Sequence, residues 1–550
     1  MPRTVSIGEQ DFEELIRENC FYVDKTNFIK EWWESKDKVT LITCPRRFGK
    51  TLNMSMLERF FSLKYAKDGT VFEHLAIWED ENMRKLQGTY PVISLSFAGV
   101  KETGYDTAVY QICEFLQELY IKNYFLLESN VLTEGERERY KKMADEMKPQ
   151  DAPMALHLLS DYLCRYYGKK VIILLDEYDT PLQKVHLGGY WKEAGFFVRR
   201  LFHNTFKTNA YMERAVMTGI TGACKEYVAS DLNISMAYER YVTYFGFTEQ
   251  EVFKAMDEFE LTNREEVTQW YGGFTAGNRK DIYNPWSIIS YLDKKQLKPY
   301  WANASAGSLA SRLVREGSKD IKMQFELLLT GRTIRSRINE EMSLTQYSGS
   351  ERSVWSLLLA AGYLKVTGIH GKEYELSLTN GEVRQAFEDM VHDWFDPCAS
   401  DYNEFIKSLL RGNKKEMNIY MNRVVLGMFG SFADGINPSE SVMPEKFYHG
   451  FVLVLLVDLM DRYEVKSNRE SGYGRYDVLL HPRWTGDDGI ILEFKVWDPK
   501  EEASLEDTVK AALKQIEERR YEQMFPEQGL EKGRIRKYGI AFRGKEALIG

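Results

Sequence analysis

Val39-Thr40-Leu41-Ile42-Thr43, Cys44-Pro45-Arg46-Arg47-Phe48-Gly49-Lys50-Thr51 and the apolar-periodic segment through Met54, Leu57 and Phe61 decide how this chain is read. A β-favouring run, a tight loop and a 3.6-residue period spell strand, loop, helix. Gly49-Lys50-Thr51 falls at the helix start, where backbone N–H groups and the helix dipole favour an anion. In a phosphate loop of this kind, Lys50 reaches the β- and γ-phosphates of a nucleotide and the Thr51 hydroxyl ligates Mg²⁺. The full pattern, Gly-x4-Gly-Lys-[Ser/Thr], asks for glycine at position 44, and the chain has Cys44. The match is partial and calls for support elsewhere.

That support lies at Val171-Ile172-Ile173-Leu174-Leu175, an unbroken apolar run typical of a strand buried on both faces, which ends in Asp176-Glu177-Tyr178-Asp179. Paired carboxylates at the C-terminal edge of a central parallel strand stand where such sheets bind ligands. Asp176 is expected in the Mg²⁺ shell, and Glu177 is expected to polarise the attacking water. Thr218, ending the strand Ala215-Val216-Met217-Thr218, is placed like a sensor of the γ-phosphate, or simply as a β-favouring residue closing a strand. Pro91–Phe97 reads as a further strand, with helices over roughly 105–125, 133–148 and 153–167. Thr248 and Glu251 form a capping box that opens another helix.

Composition narrows the class. The chain has 550 residues, enough for about three or four domains. Its net charge of −9 gives no overall pull toward nucleic acid. From Lys510 onward, however, ten Lys and Arg face six Glu, a local excess of +4. The longest apolar run, Phe451–Val457, is too short to span a bilayer. No apolar signal segment opens the sequence, and six scattered cysteines show no metal or disulfide spacing, so a reduced cytoplasm is the expected setting.

A second constellation closes the chain. Gly474–Leu480 reads as a strand carrying Asp477, Thr485-Gly486-Asp487-Asp488-Gly489 as a turn, and Ile490–Val496 as a strand carrying Glu493 and Lys495. Residues two apart on a strand share a face, and the hairpin brings Asp477 beside them. Two carboxylates and a lysine on one face suit Mg²⁺-dependent phosphodiester cleavage, with oxygen ligands from Asp477 and Glu493 and the water nucleophile oriented by Lys495. A cross-strand ion pair is the plain alternative. Upstream, a helix around Val354–Leu359, strands at 362–366 and 374–378 and a helix from about Glu382 suggest a winged-helix module. It is not visibly basic, which favours a structural or lid role over DNA binding.

Cys44–Thr51 preceded by Tyr22-Val23-Asp24-Lys25-Thr26, together with Leu175–Leu182, Thr218-Gly219-Ile220 and Tyr283-Asn284-Pro285-Trp286-Ser287, resembles bacterial AAA-like ATPases fused to a C-terminal PD-(D/E)XK-superfamily nuclease-like domain. The resemblance implies an α/β P-loop NTPase with a parallel sheet over 1–240, a helical lid or linker over 241–320, a winged-helix-like module over 321–395 and a nuclease-like α/β domain over 400–550. It makes the missing glycine a family trait, with Cys44 standing where the family commonly has Arg. Arg46 and Arg47 then lend positive field near the phosphates, and Phe48 completes the nucleotide-binding loop. Gly222 stands where the family tends to carry an Arg, so no arginine finger is assigned. The resemblance places the nuclease roles on Asp477, Glu493 and Lys495, with Glu445 and Gln515 as auxiliaries. ATP and Mg²⁺ are the expected cofactors. Nucleic acid, DNA ahead of RNA, is the expected partner, with a homo-oligomer as a further one and no membrane. The implied function is an ATPase that regulates a nuclease on its own chain. The competing reading is a nucleotide-dependent switch or scaffold whose C-terminal domain binds nucleic acid or a protein without cutting.

Overall fold

The computed structural model describes residues 2–550 apart from 67, 101–103, 183–190, 208, 221–233, 237, 277–278, 303–308, 316, 339–350, 395, 432–450, 456, 472–473, 526–529 and 531. At further positions, 467–471 and 474–477 among them, only the backbone is described. Two compact units emerge: Met1–Ser305 with Arg335–Val383, and Ala306–Ile334 with Arg384–Gly550.

The first unit is built on a parallel sheet of β1 (Val39–Thr43), β2 (Val92–Ser96), β3 (Val171–Asp176), β4 (Met212–Gly219) and β5 (Ile234–Met236), in the order β2-β3-β4-β1-β5. Every residue of β3 is buried, as its unbroken apolar run requires. Register aligns the strand ends, pairing Ser96 with Asp176 and Thr43 with Gly219. The chain leaves β1 through the phosphate loop into helix α1 (Lys50–Phe61). The expected helices form as Tyr105–Lys122, Glu134–Asp145 and Ala152–Tyr167, with a separate short turn of helix at Phe125–Glu128.

Beyond the sheet, Thr248 and Glu251 form the capping box of Glu249–Glu258. That helix joins Phe21, Tyr271, Tyr283, Ile288 and Leu292 in an apolar cluster, so a residue from the start of the chain anchors this later segment. Residues 335–383 return to the first unit, which explains why compactness divides the chain elsewhere than at the expected boundaries. They hold the helix Glu351–Ala360 and the antiparallel hairpin of Leu364–His370 with Glu373–Leu378. Gly362, at φ +86°, sits so close to the phosphate loop that a Cβ there would lie 2.8 Å from Cγ of Pro45.

The second unit carries a mixed sheet of β6 (Tyr463–Ser471), β7 (Gly474–Pro482), β8 (Gly489–Val496), β9 (Ile535–Arg543) and β10 (Glu546–Ile549), in chain order. All pairs are antiparallel except β8 with β9, which are parallel and joined through helix α2 (Leu505–Glu518). The apolar face of α2, including Val509, Ala512 and Ile516, is buried. Gly539 permits the close approach of helix and sheet, since a Cβ there would lie 2.8 Å from the carbonyl oxygen of Val509. The outer edge of β10 is covered by a helix, Lys414–Ser431. Asn418 exchanges two hydrogen bonds with the Ile549 backbone, and Asn422 does the same with Ala547. Side-chain amides one helical turn apart thus take the place of a neighbouring strand.

One buried carboxyl ties the later parts of the first unit together. Glu382 accepts hydrogen bonds from Ser287 Oγ at 2.7 Å and from the backbone N–H of Trp301 at 2.6 Å. Burial pushes its pKa up to about 7, against the lowering effect of those hydrogen bonds. The folded protein therefore retains a proton that the unfolded chain releases near the ordinary value of 4.5. The associated stability is fully present below the unfolded pKa and is lost as pH rises through the folded one. Glu382→Gln should lack this loss. Denaturant titrations at pH values from about 4 to 8 should show wild-type stability falling by about 2–3 kcal/mol relative to the variant; parallel curves would contradict the assignment.

Candidate nucleotide site and candidate nuclease site

The phosphate loop is held from several sides. Cys44 N–H donates to the Gly219 carbonyl at 3.1 Å, registering the loop on the end of β4. The Arg46 carbonyl accepts from Trp301 Nε1 at 3.0 Å and Asn284 Nδ2 at 3.4 Å. Arg47 and Gly49 both take left-handed conformations, at φ +62° and +74°. Between them the Phe48 ring is fully buried, edge-on to Phe274 at 5.0 Å between centroids, so its backbone but not its ring is available to a ligand. Arg46 and Arg47 are exposed, and the Arg47 guanidinium lies 3.8 Å over the Trp286 ring. Lys50 is buried, and its Nζ donates to the carbonyls of Cys44 at 2.9 Å and Pro45 at 2.8 Å. The ammonium thus occupies the concave side of its own loop. The Cys44 thiol is raised to about 11 by burial, which leaves it an inert small hydrophobe.

Opposite the loop, Asp176 spans two hydroxyls. Thr51 Oγ1 donates to its Oδ2 at 2.7 Å, and Thr218 Oγ1 donates to its Oδ1. A buried carboxylate with hydroxyl oxygens on both sides offers the hard oxygen donors that Mg²⁺ prefers. Glu177 follows at φ +50°, its N–H 3.4 Å from Thr218 Oγ1 and its Oε2 accepting from Thr180 Oγ1 at 3.0 Å. The ends of β3 and β4 are also stitched by Tyr178 N–H to the Thr218 carbonyl and by Ile220 N–H to Asp179 Oδ2. Lys50, Thr51, Asp176, Glu177 and Thr218 are therefore brought together.

In the second unit the pairing of β7 with β8 ends at Val478 and Leu492, each one residue from Asp477 and Glu493 respectively. The Asp477 side chain and the whole of Glu445 lie outside what is described. Glu493 is buried, and Gln515 of α2 donates from Nε2 to its Oε1. Lys495 is half-buried, two positions along β8. Phe494 between them stacks on Phe542. Glu493, Gln515 and Lys495 thus form the described part of this constellation. Among the described residues no three His, Cys, Asp or Glu side chains gather as a metal cluster.

Comparison with known proteins finds a family match over each end of the chain. Residues 6–229 match the family described as predicted AAA-ATPase, and residues 443–550 match the PD-(D/E)XK nuclease superfamily. The chain joins an AAA-like ATPase domain to a PD-(D/E)XK nuclease-superfamily domain. It is 24% identical over 404 residues to an "uncharacterized protein in vnfD 5'region" of Azotobacter chroococcum mcd 1, covering 71% of this chain and 70% of that one. It is also similar to a Walker-type ATPase of Pyrococcus abyssi, with a TM-score of 0.35, 12% identity, and coverage of 67% of this chain and 96% of the other.

The ATPase-like domain includes residues that sequence reading did not place at the site. Lys25, in Tyr22-Val23-Asp24-Lys25-Thr26, is buried, with Nζ 2.6 Å and 2.7 Å from the Glu251 carboxylate oxygens and 2.5 Å from the Thr243 carbonyl. Burial lowers its pKa, and Glu251 opposes that effect. Asp24 accepts from Thr26 and from the Ala76 N–H. The motif is thus a clamp between the start of the chain and the helix Glu249–Glu258, a role for which the capping Glu251 was the available sequence signal. Gly219 is a second such residue: a Cβ there would lie 2.5 Å from Tyr178 Cε1 and 2.7 Å from Asp179 Oδ1. Gly219→Val is expected to lower unfolding stability by about 2–3 kcal/mol in urea titrations through overpacking. A change below about 0.5 kcal/mol would show that the strand ends are not packed as described.

Proposed function

We propose that the AAA-like domain binds and hydrolyses ATP with Mg²⁺ and thereby regulates the nuclease-superfamily domain on the same chain, which cleaves nucleic acid, DNA in preference to RNA. The observation that carries this reading is the hydroxyl–carboxylate–hydroxyl chain of Thr51, Asp176 and Thr218, with Lys50 preceding Thr51 at the start of α1. In the proposed cycle the triphosphate takes the place of the Cys44 and Pro45 carbonyls as partner of the Lys50 ammonium. Glu177 accepts a proton from the water that attacks the γ-phosphorus, and Thr218 senses the bond that breaks to release ADP. Thr180, bonded to Glu177, sets the direction of that carboxylate.

In the C-terminal domain Lys495 orients the water that attacks the phosphodiester, and Gln515 holds Glu493 in place. Thr51 with Asp176, and Asp477 with Glu493, would hold Mg²⁺, which when bound would supply Lewis-acid neutralisation of phosphate oxygens. The segment Glu351–Leu378, packed on Pro45 through Gly362, serves in this reading as a winged-helix-like lid that follows the state of the loop. A reducing cytoplasm suits the buried thiols of Cys20, Cys44 and Cys113, and self-association of the ATPase domain completes the reading. No helix among the described residues is long and apolar enough to cross a membrane.

Two sets of variants test the proposal. Glu177→Gln should slow phosphate release at saturating ATP by about 100-fold or more while leaving nucleotide affinity nearly intact, and Lys50→Ala should weaken affinity itself. Equal, negligible release by wild type and Glu177→Gln would remove hydrolysis from the account. Cleavage of DNA with Mg²⁺ should disappear in Lys495→Ala and Asp477→Ala. Activity that survives both substitutions would dismiss the nuclease assignment, and intact DNA with wild type under nucleotide-dependent self-association would favour a scaffold that does not cut.

A further inference from the structure

The phosphate loop opens onto a cavity of about 340 Å³ whose other walls are not made by the sheet. They include residues 6–10, ahead of the first helix, and Phe247, Trp286 and Ile289, with Lys25 and Glu177 also on the lining. Its size is within the range of about 300–1,000 Å³ usual for small-molecule sites, and its mixed apolar and polar lining is of the usual kind.

Residues 5–10 form no helix or strand, yet they are pinned at both ends. Upstream, the Thr4 carbonyl accepts from Phe21 N–H at 2.8 Å, and Arg3 forks onto Glu258 with Nε–Oε1 at 2.9 Å and Nη2–Oε2 at 2.8 Å. Downstream, Asp11 caps the helix Phe12–Arg17, and Phe12 N–H donates to Ser55 Oγ of α1 at 3.0 Å. The result is a strap fixed to the helix Glu249–Glu258 at one end and to the phosphate-loop helix at the other. At its middle Gly8 has φ +94°, and a Cβ there would meet nothing within 4 Å. The space beside the strap is therefore open.

Across the cavity, Trp286 has a planar cation stacked on its ring. Arg47, carried by the phosphate loop, lies 3.8 Å above the indole. A planar aromatic base satisfies the same surface by stacking, and a guanidinium displaced from it is tethered three residues from Lys50, within reach of phosphate oxygens.

Resting on the nucleotide reading above, we infer that this cavity holds the base and ribose of a nucleoside triphosphate, with Ser6–Gln10 as a strap over the base and Trp286 as its stacking face, taken over from Arg47. The base exchanges with the guanidinium on the indole, and the guanidinium turns to the triphosphate. A purine, with the larger ring face, is the favoured ligand. Inorganic tripolyphosphate engages the phosphate loop alone.

The test is calorimetric titration of the full chain with ATP and with inorganic tripolyphosphate, both with Mg²⁺. Wild type should bind ATP tighter than tripolyphosphate by about tenfold or more. Trp286→Ala and Trp286→Leu, which both remove the stacking face, should bring ATP down to the tripolyphosphate level without weakening tripolyphosphate. Circular dichroism checks the fold of each variant, and Trp286→Leu keeps apolar bulk at the position should Trp286→Ala fail to fold. Equal wild-type affinities for the two ligands, or variants that weaken both alike, would overturn the base pocket and leave the phosphate loop standing. Binding of neither ligand would instead remove the phosphate-loop reading, and the base pocket with it.

Discussion

The first unit turns on Asp176. Its two oxygens take hydroxyl protons from opposite directions, from Thr51 on α1 and from Thr218 at the end of β4, so a single carboxylate connects the phosphate loop with two strand ends. Burying a polar group is costly unless it is hydrogen-bonded, and here both oxygens are engaged. The parallel register that sets Asp176 beside Ser96 and Thr43 beside Gly219 makes this geometry possible. Gly219 preserves it by leaving room for Tyr178 and Asp179.

Much of this was legible locally. Strand, loop and helix at 39–61 are written in consecutive residues, and the apolar run ending at Asp176 reads as a doubly covered strand whatever its neighbours. The hairpin of β7 and β8 was equally accessible, because the Gly-Asp-Asp-Gly turn lies between two short β-favouring runs. Other features depend on contacts across hundreds of residues, which no window of sequence contains. The strand order β2-β3-β4-β1-β5 follows from how crossover helices pack, and the bond from Glu382 to Ser287 joins positions that share no pattern. The strap at 5–10 has neither period nor motif, since what holds it is Arg3 to Glu258 and Thr4 to Phe21. Phe48 illustrates the opposite case. Its place in the loop motif suggested ligand contact, while an apolar ring beside two arginines was the signal of a buried anchor against Phe274.

The two domains share a chemical logic: a carboxylate at a strand position, held by a neutral hydrogen-bond donor and accompanied by a lysine. Thr51 and Thr218 serve Asp176 as Gln515 serves Glu493, with Lys50 and Lys495 as the nearby cations of the motifs. The surroundings differ. Around the phosphate loop, Trp301 and Asn284 hydrogen-bond to the Arg46 carbonyl and Gly362 closes on the Pro45 ring, so later parts of the first unit rest directly on the loop. These contacts are what supports the proposal that the loop acts as a control input.

The most direct measurement of that control is the rate at which wild-type full-length protein cleaves DNA in Mg²⁺ with ATP, with ADP and with no nucleotide. The account predicts a rate that changes with the nucleotide supplied; cleavage at one rate under all three conditions would contradict it.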